Sequence, residues 1–92
     1  MLAQRLRTAA GEIDIVAATP ELLAVVEVKA RRTLADAACS LRPRQQARLL
    51  AAAEIVLAEH PEWARAGMRF DVMLVDAVGR VRRIADAFRW EN

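Results

Sequence analysis

Apolar and polar positions alternate over the first third of the chain and then change period. Leu2 to Arg7 alternates loosely, with Leu2 and Leu6 on one face, and Thr8-Ala9-Ala10-Gly11 supplies a turn. Two stretches rich in β-branched residues follow, residues 11–18 and 22–32, separated by Thr19-Pro20-Glu21. They predict two neighbouring strands or a hairpin. From Thr33 to Ser40 the residues are small and polar, which reads as a loop or a loosely helical connection. Beyond Pro43 the period lengthens: Leu49, Leu50, Ala53, Val56 and Leu57 lie along one helical stripe, with proline at a first-turn position. His60-Pro61 ends this helix, because a residue before proline avoids the α conformation. Trp63 is expected to pack back on the core.

Arg69 to Asp76 predicts another strand, with Phe70, Val72 and Leu74 on one side and Asp71, Met73 and Val75 on the other. Val78-Gly79-Arg80 turns the chain into a last strand from Val81 to Phe88. Trp90 is a candidate for the core or for a dimer contact. The order strand, strand, strand, helix, strand, strand predicts an α/β fold with a mixed sheet of five strands and one main helix, in a single domain over 1–92.

The acids fall inside the apolar strands. In a regular strand Glu12 and Asp14 share one face, with Ile13, Ile15 and Ala17 on the other. Glu27 and Lys29 likewise share a face opposite Val26 and Val28. If the polar faces coincide, three carboxylates and one ammonium meet, and one lysine offsets only part of that charge. Such a cluster calls for a protonated acid or a divalent cation. Oxygen ligands of high charge suit Mg²⁺ or Mn²⁺, which bind through one or two carboxylates, waters and a substrate phosphate. A lysine beside such an ion holds a phosphate oxygen, or orients or activates water. The chemistry indicated is phosphodiester hydrolysis.

Asp14, then Glu27-Val28-Lys29 at the end of the next strand, resembles the acid, spacer, Glu-x-Lys arrangement of the PD-(D/E)xK nuclease superfamily. More narrowly, Gly11-Glu12-Ile13-Asp14, Val26-Glu27-Val28-Lys29 with Arg31, and Arg69-Phe70-Asp71-Val72 are similar to the YraN-like group of small bacterial proteins placed in that superfamily. The resemblance implies a restriction-endonuclease-like core and a Mg²⁺- or Mn²⁺-dependent endonuclease acting on DNA. Asp14, Glu27 and the Val28 carbonyl are then the metal ligands, and Lys29 and Gln46 complete the catalytic set, with Glu12 as an additional site residue. Relatives usually carry an N-terminal helix bearing a further acid. Nothing here corresponds to it, so the chain is expected either to begin late or to have lost that helix. An apolar sheet face left uncovered is simply covered by dimerisation, so a homodimer is expected.

Composition modifies this picture in three places. Of 14 basic residues only Lys29 is lysine, so the position beside the acids holds the one ammonium in a chain that otherwise uses arginine. The formal charge of +2 says little about nucleic acid. The distribution says more: Arg5, Arg7, Arg31, Arg32, Arg42, Arg44 and Arg48 flank the acidic strands, with Arg31, Arg32, Arg44 and Arg48 as nucleic-acid contacts. A merely solvated arginine-rich surface is the alternative. One cysteine and one histidine make a disulfide impossible within the chain and a zinc site unexpected. Without a leader-like or membrane-length apolar run, a cytoplasmic location and no membrane partner are expected.

Two residues carry competing readings. Gln46 lies four positions before Leu50, facing the sheet, and either caps the fraying first turn or reaches the carboxylates. Gln45 stands where relatives often carry lysine. Asp71 invites a catalytic role, but pairing with an arginine such as Arg69 or Arg83 stands ahead of it. A rival for the whole chain is a catalytically inactive nucleic-acid-binding or scaffold protein that keeps the fold. An ordinary solvated sheet face with cross-strand ion pairs is the plainest alternative.

Overall fold

The computed structural model describes residues 1–39 and 42–88. Its strands are β1 (Ala3–Thr8), β2 (Gly11–Ala18), β3 (Leu22–Ala30), β4 (Gly67–Val75) and β5 (Val81–Phe88), and they form one mixed sheet in that order. Only β3 and β4 run parallel, in register from Leu22↔Gly67 to Ala30↔Val75. A parallel pair needs a crossover, and here it is α1 (Leu34–Cys39), α2 (Pro43–Glu59) and a short 3-10 turn at Pro61–Trp63. The predicted α/β architecture with one main helix is therefore what the chain adopts. Of the loop and the loosely helical connection read for Thr33 to Ser40, the chain takes the helical one as α1, with Thr33 Oγ1 accepting the Asp36 N–H at 3.0 Å to start it. Trp90 lies outside the described residues.

Local chemistry sets the turns. Thr8 Oγ1 donates to the Gly11 carbonyl at 2.7 Å and accepts the Ala10 N–H at 3.1 Å, which closes the β1–β2 hairpin. Thr19 does the same for β2–β3, accepting the Leu22 N–H at 3.1 Å. At the end of α2 the His60 ring stacks on Trp63 with centroids 3.9 Å apart, so Trp63 does fold back onto the helix end and the core.

Helix α2 lies across one face of the sheet. Leu49, Ala52, Ala53 and Val56 pack on Ile13, Val16, Leu23, Val25 and Phe70, all buried. Full burial of a side chain such as Leu49 or Phe70 contributes about 1.5–3 kcal/mol. The parallel register sets Leu23, Val25, Glu27 and Lys29 on the same face as Met68, Phe70, Val72 and Leu74. Ala37 of α1 packs on Val72 and Leu74, so both helices cover that face. Glu27 and Lys29 thus end a row of core residues instead of facing open water.

Strict alternation fails in β2. It predicts Ile13, Ile15 and Ala17 together, but Ile13 and Val16 are the fully buried pair and Ile15 is half-buried. The reason lies in the neighbouring strand, where Arg5 has a φ of 49° and the ladder skips the pair of Arg5 with Asp14. That break shifts the inward set of both strands, so the predicted shared face of Glu12 and Asp14 does not form as drawn.

Candidate functional site

Glu27 and Lys29 are carried by β3 at the edge of the core, 5% and 7% exposed. Lys29 Nζ stands 3.3 Å from Glu27 Oε2. Arg48 of α2 reaches the same oxygen: its Nη2 donates to Oε2 at 3.3 Å, while Nη1 donates to the Glu12 carbonyl at 3.1 Å. Room for that guanidinium exists because residue 11 is glycine. A Cβ there would meet Arg48 Nη1, and its φ of 134° disfavours any side chain.

Asp14 enters from β2. The β2–β3 ladder runs from Ala18↔Leu23 to Ile15↔Val26 and stops, so the strands part at Asp14. Asp14 Oδ2 accepts the Val28 N–H at 2.8 Å, taking over from the ladder with a side chain. It also lies against Glu27. Burial pushes the Glu27 carboxyl above its usual value of 4.5, the Asp14 carboxylate pushes the same way, and Lys29 opposes both. Two acids held together with a lysine are what the sequence led one to expect of Asp14, Glu27 and Lys29.

The other candidates separate. The Glu12 carboxylate turns to Arg7, 4.0 Å away and exposed, so it stands apart from the acid pair. Gln46 is half-buried and forms no side-chain hydrogen bond among the described residues. Its neighbour Gln45 is the one whose Oε1 is buried without a partner. Counting back four positions from Leu49 instead of Leu50 would have found it. Arg31 donates to the Ala30 carbonyl at 2.7 Å on the surface, and Arg32 and Arg44 are exposed. Arg48 is committed to Glu27 and Glu12 instead of open solvent.

Asp71 takes the structural part. Arg69 Nε stands 2.8 Å from Oδ1 and Arg83 Nη2 donates to Oδ2 at 3.2 Å, on the sheet face away from α2. Among the described residues no group of three or more His, Cys, Asp or Glu is placed to hold a metal ion. Nor is any helix there long and apolar enough to cross a membrane. A recess of about 370 Å³ opens beside Asp14, lined also by Gln4, Arg5, Ile15 and Val28.

The residues that build this site, Gly11 to Lys29 and the β4 strand beside them, fall within the match to a described family. The profile of uncharacterised protein family UPF0102 covers residues 1–75. The chain belongs to that family. It is 62% identical over 92 residues to a UPF0102 protein of Granulibacter bethesdensis, covering all of this chain and 58% of that one. A UPF0102 protein of Azorhizobium caulinodans is 52% identical and one of Acidiphilium cryptum 59%, the chain spanning 70% and 71% of their lengths. The YraN-like part of the resemblance is thereby established. This UPF0102 chain spans little more than half the length of the Granulibacter relative.

Proposed function

We propose that this UPF0102 chain carries a metal-dependent nuclease site on a restriction-endonuclease-like core of the PD-(D/E)xK type, with DNA as substrate. The observation that carries the reading is the Asp14–Glu27 pair. Two carboxyls are pressed together at the rim of a core, and burial with the neighbouring Asp14 carboxylate holds Glu27 above its usual pKa even though Lys29 and Arg48 both stand on its Oε2. A divalent cation is the chemistry that such a donor set fits. Two acids and a carbonyl leave the remaining positions to water and phosphate, as Mg²⁺ prefers, so the lack of a third acid is compatible with it.

Asp14, Glu27 and the Val28 carbonyl would hold Mg²⁺ or Mn²⁺, which when bound supplies Lewis acidity at phosphorus and a more acidic water. The chain's own residues supply the rest. Lys29 orients the attacking water and stabilises the charge that builds on the phosphate oxygens. Arg48 and Lys29 share Glu27 Oε2 and so fix the carboxylate. Hydrolysis adds water across the phosphorus–oxygen bond, and the proton lost by the water ends on the leaving alkoxide or in solvent.

Cleavage of labelled duplex, single-stranded and branched DNA with Mn²⁺, Mg²⁺ or chelator, by this chain and its Lys29→Ala variant, tests the reading. Metal-dependent cutting that falls about 10²–10⁴-fold in the variant supports it. Equal cutting by both overturns the assigned mechanism. One observation favours a second reading, a nuclease-like scaffold that binds without turnover: Glu12 faces Arg7 instead of the acid pair. Salt-sensitive binding without cleavage would select it.

A further inference from the structure

We infer that the recess beside Asp14 is a phosphate subsite and that Arg5 is its anchoring cation. This rests on the nuclease reading and says where, beside Asp14, a phosphate of the bound DNA is held. The β1–β2 ladder keeps one register on both sides of a single gap, Gln4↔Ile15 and Leu6↔Ile13, and the omitted pair is Arg5 with Asp14. At that step Arg5 adopts a φ of 49°. Ala3 and Leu6, three residues apart, consequently both pack on the core, as do their partners Val16 and Ile13. One irregularity thus presents a cation and a carboxylate at the same level, and both line the recess of about 370 Å³.

The two do not neutralise each other. Asp14 takes the Val28 N–H and lies against Glu27. The exposed Arg5 side chain makes no hydrogen bond or ion pair among the described residues. Arg48, Arg69, Arg80 and Arg83, by contrast, are each bound to a carboxylate. A guanidinium left open beside the Asp14 carboxylate suits an anion that must come close to that acid, and a planar fork matches two phosphate oxygens. The Gln4 amide adds a neutral donor to the same wall. Because the carboxylates repel an anion, the contribution of Arg5 depends on a divalent cation at Asp14 and Glu27.

Binding of a labelled DNA oligonucleotide to the Lys29→Ala chain, which removes turnover, is measured with Mn²⁺ over a salt series, and again with Arg5→Asn or Arg5→Lys added. Asparagine tolerates the left-handed backbone, so the fold is kept, and a melting curve verifies that. Arg5→Asn should weaken binding about tenfold and flatten the salt dependence by about one phosphate contact. Arg5→Lys should restore the salt dependence and only part of the affinity. Mn²⁺ affinity should be unchanged by either. Unaltered DNA affinity and salt slope in Arg5→Asn would overturn the subsite while leaving the nuclease reading standing. Absence of Mn²⁺ and DNA binding by the unmodified chain would overturn both.

Discussion

Two adjacent parallel strands each bury acids, and the protein treats them in opposite ways. On β4 and the turn after it, every acid is matched with donors. Asp71 has Arg69 and Arg83. Asp76, 6% exposed, accepts the N–H groups of Val78 at 3.0 Å and Arg80 at 2.8 Å, and the Arg80 guanidinium as well. Burial alone would raise the Asp76 carboxyl, but these donors outweigh it and hold the group below its usual 3.8. On β3, Glu27 has Lys29 and Arg48 on one oxygen and another carboxylate beside it; burial first and then that carboxylate move its pKa up. An acid surrounded by donors fastens a turn or a strand. An acid set against an acid is, in the proposed function, where the cation would bind.

That contrast can be broken most forcefully at Asp14. Asp14→Asn keeps an acceptor for the Val28 N–H but removes the negative charge, so Mn²⁺-dependent cleavage should fall by about 10²-fold or more. The rise in melting temperature on adding Mn²⁺ should vanish with it, since only binding to the folded chain gives that rise. A variant that still cuts and is still stabilised by Mn²⁺ would remove the distinction between the two regions.

Asp71→Ala should do the reverse. Deleting the acceptor of two arginines, one 29% and one 55% exposed, should cost about 2 kcal/mol in denaturant unfolding. Mn²⁺ affinity should stay the same. A loss of Mn²⁺ affinity larger than the loss of stability would make Asp71 part of the site.

The smallest effect is one of pH. With its folded pKa above 4.5, Glu27 binds more proton folded than unfolded between 4.5 and that raised value. Its contribution is therefore fully present below pH 4.5 and is lost as the pH rises through the folded titration. Asp76 has the opposite sign: its contribution is present above pH 3.8 and lost as the pH falls through its depressed value. Melting curves of metal-free Asp14→Asn against pH should show a weaker decline above pH 4.5 than the unmodified chain, because the like charge next to Glu27 is gone. Added Mn²⁺ should stabilise the unmodified chain more as the pH rises. Identical pH profiles would show that Asp14 does not act on Glu27.

Local pattern was enough for much of this. The period-2 runs, the Pro43-to-Glu59 stripe and the Thr-rich turns located five strands and the main helix, because each rests on neighbours in sequence. Asp14, Glu27 and Lys29 were legible because two strands joined by a short turn must lie side by side. Asp71 was legible as a partner of Arg69 and Arg83 since Arg69 lies two residues away on the same face and Arg83 lies on the other strand of its hairpin. The short α1, with few residues and no strong stripe, left loop and loose helix open in the sequence, and the structure takes the helical alternative.

What the sequence by itself determined is the set of residues that must share a sheet, since alternation and turn chemistry are local. Tertiary structure alone decided which of them meet. The break at Arg5 and Asp14 depends on two strands deforming together, and it moves Glu12 away and opens the recess. The hold of Arg48 on Glu27 needs α2 laid across the sheet and a glycine at position 11 to leave space. Such contacts join residues 21 and 36 positions apart, and no periodicity along a chain encodes an approach of that kind.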